Sequence, residues 1–329
     1  MSLRGSDLPA ALLRQAGIQR VRNLNEGQIE KQILSLLEEK GPLTGSEIVD
    51  DTGGDGLLLW RTCKLSKKLS SVTIGKRYLR LDRRIEGFAR LSPSIFREFL
   101  TYSVVGCSQE DASLTQKANR IASHIESVSR AKSELAYTVV SALVNRLTNE
   151  FPITDQVCFI IAGDIVYSMA HDVPRPERST GKLVNGSDMD LVVIVDDQFP
   201  EKLMNRLDEA IYQEKYRLLI TPHLREEIDY IVKRLERVRE QVKFDTFKHM
   251  VACKILEEGT LLYGSEEIFH TVKTMLREHG VIRKLNALKK ETEVFRKEAE
   301  QYLLTEEPSK IKEESLYLFY PTEESEEFE

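Results

Sequence analysis

The chain has few of the residues that stabilise small secreted domains or bind zinc. Its 329 residues include only four cysteines, which lie far apart at Cys63, Cys107, Cys158 and Cys253. Without a Cys-x-x-Cys pair, a disulfide framework or a cysteine zinc site is unexpected, and a reducing compartment is favoured. The six histidines include no His-Glu-x-x-His motif, which is the pattern of many zinc proteases.

Long apolar segments are also missing. No run approaches the ~18 consecutive apolar residues that cross a bilayer, and the start, Met1 to Ser6, lacks the apolar core of a signal peptide. We therefore expect a cytoplasmic protein with no membrane partner. A length of 329 residues exceeds one typical hydrophobic core, so two or three folded units are expected.

Charge is distributed unevenly along the chain, although the formal net charge is only −6. Residues 57–90 contain ten Lys or Arg and two acidic residues, a balance of +8. Residues 306–329 contain nine acidic residues and two lysines, a balance of −7. Acidic tails of this kind are usually disordered. The apolar run from Leu316 to Pro321 interrupts the tail and is a candidate docking segment.

The N-terminal part is predicted to contain three helices and a hairpin. The helices are expected at residues 27–40, Thr44 to Asp51 and Leu57 to Leu69, and Thr44 with Glu47 three residues later predicts a capping box. Alternating apolar residues from Val72 to Leu81 predict a β-hairpin. Three helices followed by such a hairpin resemble a winged helix-turn-helix domain.

Basic residues of this region predict a nucleic-acid interface. In a winged helix-turn-helix domain, the third helix enters the major groove and basic residues of the wing neutralise phosphates. The candidate DNA-binding residues are Arg61, Lys64, Lys68, Lys76 and Arg77. The alternative is a basic but structural winged helix that is used for protein contacts or dimerisation.

A pair of aspartates marks the most informative segment of the chain. Asp188 and Asp190 stand at the entrance to the β-branched run Leu191–Val195. Because successive side chains of a strand point to opposite faces, the two aspartates are predicted to share one face. Neighbouring carboxylates repel each other unless a cation lies between them, and Mg²⁺ is commonly held by one or two carboxylates and substrate phosphates. The alternative is a polar strand entrance with one capping carboxylate.

The residues before this pair predict a strand, a glycine turn and a helix. Residues 157–162 are apolar, Gly163 and Asp164 follow, and residues 165–169 are largely apolar again. Glycine allows close approach of the backbone to a ligand, and helix N-termini favour phosphate oxygens. Strand, glycine turn, helix and a second strand opening with Asp-x-Asp resemble the nucleotidyltransferase superfamily (the DNA polymerase β-like fold) over roughly residues 150–270.

The resemblance implies a specific chemistry. Asp188 and Asp190 would bind two Mg²⁺ ions, which would coordinate the phosphates of a nucleoside triphosphate. A third acid would complete the metal site and help to activate an acceptor hydroxyl. The candidate nucleotide-contacting residues are Gly163, Asp164, Gly186, Ser187 and Lys182. The acceptor could be nucleic acid, a protein side chain or a small molecule.

The third acid has two candidates. Asp245 lies in the alternating residues 242–247, which predict a short strand, whereas Asp229 lies among apolar residues at helical spacing. Asp245 is therefore preferred as the third metal-binding carboxylate. A helix ending at Gly259 and a closing strand at residues 260–265 are predicted after it.

Two features depart from the superfamily pattern. Asp164 stands where Ser or Gly is usual, and its carboxylate would repel a triphosphate. The segment before the aspartate pair is longer than usual and includes a polar surface loop at residues 172–182, for which a solvated insertion is the alternative reading. Three basic residues of this loop are candidates to restore positive charge: Arg175, Arg178 and Lys182.

Together these patterns predict an α+β protein of four parts. They are a winged helix-turn-helix domain (1–91), a helical linker (92–150), a nucleotidyltransferase-like domain with a mixed sheet and flanking helices (151–270), and C-terminal helices with an acidic tail (271–329). The predicted activity is Mg²⁺-dependent transfer of a nucleoside monophosphate from a nucleoside triphosphate, with release of pyrophosphate. The alternative is a DNA-binding regulator or toxin–antitoxin component with a protein partner, in which the transferase-like domain senses nucleotide or is inactive.

Overall fold

The computed structural model describes residues 26–83, 85–109, 111–148, 153–177 and 180–321. Residues 1–25, Arg178 and the end of the acidic tail at 322–329 lie outside the described residues. The chain has an α+β structure that divides into two compact units. Unit 1 comprises Met1–Gly75, Pro93–Ala122 and Phe295–Glu329, and unit 2 comprises Lys76–Ser92 and Ser123–Val294. Both units are discontinuous in sequence, unlike the four consecutive parts predicted above.

Helices make up most of the described chain. The α-helices are α1 (Glu26–Lys40), α2 (Gly45–Thr52), α3 (Gly56–Leu65), α4 (Ile95–Tyr102), α5 (Asp111–Thr148), α6 (Glu201–Ile220), α7 (Leu235–Gln241), α8 (Phe247–Glu258), α9 (Glu266–Glu278), α10 (Val281–Thr305) and α11 (Pro308–Lys310). Shorter helical turns span Glu86–Phe88, Thr154–Gln156, Gly163–Tyr167, Ile311–Ser315 and Leu316–Leu318. None of the helices in the described ranges is both long and apolar enough to cross a membrane.

The strands of the described residues form four small sheets. In chain order they are β1 (Leu43–Thr44), β2 (Leu69–Thr73), β3 (Tyr78–Leu81), β4 (Ala89–Ser92), β5 (Ser103–Cys107), β6 (Val157–Ala162), β7 (Pro174–Pro176), β8 (Leu183–Asn185), β9 (Met189–Val195), β10 (Ile228–Arg234) and β11 (Thr260–Gly264). The predicted strands at residues 157–162, 191–195 and 260–265 are confirmed within one or two residues.

The sheet of unit 1 has the strand order β1-β5-β2, with both pairings antiparallel. Its central strand is β5, on which Val105 pairs with Leu43 of β1 and Ser71 of β2. The prediction of a helical linker at residues 92–150 did not include β5. The predicted hairpin at residues 72–81 is wrong, because β2 pairs with β5 whereas β3 pairs with β4 in unit 2.

The short helices of unit 1 begin and end close to the predicted residues. The capping box is confirmed, since Thr44 Oγ1 accepts a hydrogen bond from the Glu47 amide (3.2 Å) and Glu47 Oε2 accepts one from the Thr44 amide (2.7 Å). Helix α3 ends at Leu65 rather than at the predicted Leu69, because Ser66 is extended and Leu69 already opens β2.

The apolar run of the acidic tail packs into the core of unit 1. Phe319 is fully buried, and its ring centroid lies 5.5 Å from Trp60 of α3 and 4.9 Å from Phe96 of α4. Its carbonyl accepts a hydrogen bond from the Phe96 amide at 3.0 Å. Leu303 and Ile311 are buried in the same cluster. The candidate docking segment of the sequence therefore docks against α3 and α4.

Unit 2 is built around a four-stranded mixed sheet with the order β10-β9-β6-β11. Strands β9 and β10 are parallel, and the other two pairings are antiparallel. Alternate residues of β6 and β9 enter two separate hydrophobic clusters. One cluster contains residues of α5 and α6, and the other contains residues of α7, α8 and α9. Helices therefore cover both faces of this sheet.

Two secondary-structure predictions near the third acid are wrong. Asp229 lies on strand β10 rather than on a helix, and the helical spacing comes from α7, which begins only at Leu235. Asp245 lies outside regular structure, just before Thr246, whose hydroxyl caps α8 by accepting a hydrogen bond from the His249 amide (3.2 Å). The capping interaction accounts for the non-strand conformation of this segment.

Two further predictions on the glycine turn and the polar loop need correction. The helix expected after Gly163 is only the short turn Gly163–Tyr167, which ends because Ser168 is left-handed with φ 57°. The polar loop at residues 172–182 contributes a small antiparallel hairpin, in which β7 pairs with β8 and Arg175 faces Val184.

Candidate active site

Three chain segments meet at one end of the sheet of unit 2. Strand β6 ends at Ala162, which pairs with Asp190 near the start of the antiparallel strand β9. Asp190 in turn pairs with Asp229 near the start of the parallel strand β10. Partner residues on neighbouring strands project from the same face of a sheet, about 5 Å apart. The sheet therefore brings Asp190, Asp229 and the turn after Ala162 together. Asp164, Asp188, Asp190 and Asp229 are called the carboxylate cluster below.

Gly163 is required by its contact with Asp190. Its φ of +73° is a conformation that side chains rarely adopt, and a Cβ built on it would lie 2.1 Å from Asp190 Oδ2. Only a residue without a side chain allows the turn to lie against this carboxylate. The structure thus gives Gly163 a steric role beside Asp190, and its contact with a nucleotide stays a prediction.

Asp164 is held by two hydroxyl groups. Tyr78 Oη donates a hydrogen bond to Asp164 Oδ1, and Ser187 Oγ donates one to Asp164 Oδ2 at 3.0 Å. The Tyr78 ring is stacked on Tyr167, with ring centroids 4.1 Å apart. Lys254 Nζ lies 5.5 Å from the centroids of both rings. The carboxylate that departs from the superfamily pattern is therefore built into a fixed network of unit 2.

The carboxylates of the cluster act on one another electrostatically. Burial is the largest cause that raises the pKa of Asp188, with Asp164 and Asp229 adding to it and Arg175 opposing it. Burial also comes first for Asp190, whose pKa is raised well above its usual range, and the charges of Asp188, Asp164 and Asp229 raise it further. Both side chains are half-buried at the surface of unit 2. The cluster is thus a site where added positive charge is favourable.

One cation of the polar hairpin lies beside the cluster. Arg175 Nη2 is 3.8 Å from Asp188 Oδ2 and 2.9 Å from Glu227 Oε2. Its Nε donates a hydrogen bond to the carbonyl of Gly186 at 2.8 Å. Of the three basic residues predicted to restore positive charge, Arg175 therefore reaches an aspartate of the pair, while Arg178 lies outside the described residues.

A second cation lies at the edge strand. Lys215 of α6 places Nζ 2.9 Å from Asp229 Oδ1. The Asp229 side chain is 55% exposed, so its carboxylate is accessible to a ligand from solvent.

Asp245, the preferred third acid, interacts with a different partner. Its Oδ1 lies 2.6 Å from His249 Nδ1, and this hydrogen bond is the largest cause that lowers the pKa of Asp245. The carboxylates that raise the pKa of Asp190 are Asp188, Asp164 and Asp229. Asp229, and not Asp245, is therefore the acid that lies near Asp188 and Asp190.

The other predicted nucleotide-contacting residues divide into structural and exposed positions. Gly186 is left-handed with φ +63°, and a Cβ there would lie 1.9 Å from the His171 carbonyl oxygen. Ser187 is buried and, besides donating to Asp164, accepts a hydrogen bond from the His171 amide at 3.2 Å. Both residues shape the entrance to β9. Lys182 is exposed in the hairpin.

The residues present suit a hard divalent cation. Carboxylate oxygens are preferred ligands of Mg²⁺. A cation would also relieve the repulsion between carboxylates that, after burial, raises the pKa of Asp188 and of Asp190. In the described part of the chain, no group of three or more His, Cys, Asp or Glu side chains is arranged so as to hold a metal ion. Because Mg²⁺ is commonly bound by one or two carboxylates together with substrate phosphates, a metal here would be shared between the nucleotide and carboxylates of Asp188, Asp190 and Asp229.

The predicted DNA-binding residues do not share one environment. Arg61 is buried and donates hydrogen bonds through Nη1 to the carbonyls of Leu303 (2.6 Å) and Glu306 (2.7 Å), so its predicted exposure is wrong. Lys64 and Lys68 are exposed in unit 1, and Lys68 forms an ion pair with Glu30 at 3.1 Å. Lys76 and Arg77 are exposed and belong to unit 2.

Sequence reasoning missed several residues of the site. Tyr78 was assigned to a wing, although it donates a hydrogen bond to Asp164. The sequence patterns described above do not point to Glu227 or Lys215. The signal that could have found Asp229 is the run Ile228–Val232, since β-branched residues there fit a strand as well as a helix.

Comparison with known proteins adds no relative, since no family model, curated protein or solved structure matches the chain. The function proposed below therefore depends on the residues of the carboxylate cluster and on their surroundings.

Proposed function

We propose that the chain is a Mg²⁺-dependent nucleotidyltransferase that moves a nucleoside monophosphate from a nucleoside triphosphate to an acceptor and releases pyrophosphate. The observation that carries the proposal is the pairing of Asp190 with Asp229 on adjacent strands, with Gly163 in contact with Asp190. Asp188 lies two residues before Asp190 in the chain. This arrangement supports the resemblance to the nucleotidyltransferase superfamily, because it includes an aspartate pair, a third acid and a glycine turn. In this proposal the third acid is Asp229 and not Asp245.

Asp188, Asp190 and Asp229 would hold the metal. Bound Mg²⁺ supplies charge neutralisation on the phosphates and stabilises the attacking and leaving oxygens of an in-line displacement. Asp229 is the most exposed of the three and would accept the proton of the acceptor hydroxyl at its carboxylate. Each oxygen of Asp164 accepts a hydrogen bond, one from Tyr78 and one from Ser187, and we therefore assign Asp164 to supporting the turn.

We also infer that unit 1 contains a winged helix with an interrupted wing. The order α1-β1-α2-α3-β2-β5 and the sheet order β1-β5-β2 support this reading. In such a winged helix, β2 and β5 are the two strands of the wing, and residues 74–102 replace the loop that normally joins them. This insertion carries β3, β4 and α4.

DNA binding through unit 1 is the second candidate function. The exposed side chains of Lys64 and Lys68 favour it, and affinity would then fall steeply with salt. Six of the ten residues of α3 are buried, and Phe319 packs on Trp60 of this helix. Less of α3 is therefore free to enter a groove than in an uncovered recognition helix, and we place DNA binding second.

Calorimetry of nucleotide binding tests the enzyme proposal. ATP and GTP are titrated into the wild type and Asp190→Ala, with Mg²⁺ or with EDTA. We expect at least one nucleotide to bind the wild type only with Mg²⁺, and the heat signal to disappear in the variant. Absence of binding to the wild type in Mg²⁺ would contradict the proposal and would leave salt-dependent DNA binding as the function to test.

A further inference from the structure

Arg175 is fixed beside the carboxylate cluster by its local structure. It lies between Pro174 and Pro176 on β7, and proline restricts the backbone on both sides of it. Its register partner Val184 is fully buried. The Arg175 side chain is only 13% exposed. The guanidinium is therefore presented to the site by a short, constrained hairpin rather than by a free loop.

The contacts of Arg175 leave part of its guanidinium for a ligand. Its Nε–H is used on the Gly186 carbonyl at 2.8 Å, and Nη2 lies 2.9 Å from Glu227. The 3.8 Å between Nη2 and Asp188 Oδ2 is too long for a hydrogen bond and describes an electrostatic contact. Arginine has five N–H donors in a planar fork, and the Nη1 donors take no part in these three contacts. The guanidinium that carries these donors lies beside Asp188, a proposed metal-binding aspartate.

The charge around Arg175 explains why such a cation is needed. Asp164 occupies the turn where the superfamily pattern has a neutral residue, and Asp188 and Glu227 add two more carboxylates nearby. A nucleoside triphosphate entering this region would be repelled by these charges unless a cation faced its phosphates. An arginine fork matches phosphate oxygens with two parallel hydrogen bonds, a geometry that lysine does not reproduce.

We propose that Arg175 is a substrate-positioning residue that binds phosphate oxygens of the nucleotide through its guanidinium. The inference rests on the proposed nucleotidyltransferase function and assigns the hairpin β7–β8 a part in it. Glu227 and the Gly186 carbonyl orient the guanidinium, and Asp188 links it to the metal-binding carboxylates.

A purely structural role for Arg175 makes a different prediction, and Glu227 separates the two. Glu227 is buried, so Arg175→Gln alone leaves a buried carboxylate without its cation and is expected to lower the melting temperature. The double variant Arg175→Gln/Glu227→Gln removes both charges and is expected to recover most of that loss. Lys202→Gln is the control for loss of one positive charge, because Lys202 is exposed and follows Glu201, which pairs with Arg234 at the opposite end of β10 from Asp229.

The test measures binding of MgATP and of magnesium pyrophosphate by calorimetry for the four proteins. We expect Lys202→Gln to bind both ligands within about twofold of the wild type. Both Arg175 variants should bind about tenfold or more weakly, as expected for loss of a charge-assisted hydrogen bond. Pyrophosphate binding is expected to weaken as much as ATP binding, because the contact is to phosphate.

The failures of the two proposals are distinguishable. Wild-type affinity in Arg175→Gln/Glu227→Gln would overturn the role of Arg175 and leave the transferase proposal standing. Weakened ATP binding with unchanged pyrophosphate binding would also overturn it, since Arg175 would then contact the nucleoside. A wild type that binds neither ligand with Mg²⁺ would overturn both proposals.

Discussion

Asp190 and Asp229 occupy the same register position on the adjacent parallel strands β9 and β10. The sheet itself therefore holds these two like charges close together, about 5 Å apart at the backbone. The rest of unit 2 must supply the free energy that this repulsion costs. Asp245, on an irregular segment with His249 as its partner, is under no such constraint.

Replacing Gly163 is expected to disrupt both stability and the site. A Cβ there would lie 2.1 Å from Asp190 Oδ2 and would also occupy a left-handed conformation. We expect Gly163→Ala to lower the free energy of unfolding by about 2–4 kcal/mol, measured by urea denaturation. Gly181 has a similar φ of +66° with nothing within 4 Å, so Gly181→Ala should cost only about 1 kcal/mol. Equal losses in the two variants would contradict the steric account.

The stability of the metal-free protein is expected to depend on the charge of Asp190. The pKa of Asp190 is raised in the folded state. The stability that its protonated side chain contributes is therefore fully present below the pKa of Asp in the unfolded chain, about 3.9. That contribution is lost as pH rises through the raised pKa. Asp190→Asn should therefore be more stable than the wild type at pH 7–8 in EDTA, and the gain should shrink towards pH 4.

Denaturation of both proteins across this pH range checks the sign. Asp245→Asn is a useful contrast, since the pKa of Asp245 is lowered and its contribution is lost as pH falls. A gain for Asp190→Asn that grows towards acid pH would contradict the electrostatic account of the cluster.

A buried lysine gives a second pH-dependent prediction in unit 2. Burial lowers the pKa of Lys233 to about 8, and its Nζ donates a hydrogen bond to Gln241 Oε1 at 2.8 Å. Stability from this group is fully present above its unfolded pKa of about 10.4 and is lost as pH falls through about 8. The difference in unfolding free energy between the wild type and Lys233→Met should therefore shift by up to about 3 kcal/mol between pH 7.5 and 10.5. If the difference in unfolding free energy between the two proteins does not change with pH, the lowered pKa of Lys233 is contradicted.

The docked C-terminal segment is expected to stabilise unit 1. Phe319 is fully buried against Trp60 and Phe96, so Phe319→Ala should lower the free energy of unfolding by about 3–5 kcal/mol. Tyr317 is 57% exposed two residues earlier, and Tyr317→Ala should change stability by less than about 0.5 kcal/mol. Similar stability of both variants in urea denaturation would show that the segment does not belong to the core of unit 1.

Local signals in the sequence predicted the elements that depend on local interactions. The capping box at Thr44 and Glu47, the strand before Gly163 and the helix that ends at Gly259 are all present. Capping and side-chain alternation are properties of neighbouring residues, which is why they could be identified without a structure.

Long-range pairing could not be predicted in the same way. Strand β2 pairs with β5 more than thirty residues later, and nothing in either segment specifies that partner. Asp229 was placed on a helix because the spacing of α7 extends the apolar pattern of β10. The choice between Asp229 and Asp245 depends on the register of two strands, and register is a property of the folded sheet.

The most direct test of the proposed function compares the two candidate acids. MgATP or MgGTP, whichever the wild type binds, is titrated calorimetrically into Asp229→Asn and Asp245→Asn, with melting temperatures measured in parallel to confirm folding. Asp229→Asn is expected to lose Mg²⁺-dependent binding by about tenfold or more, whereas Asp245→Asn should bind like the wild type. Unchanged binding by Asp229→Asn, with loss of binding in Asp245→Asn, would contradict the proposed site.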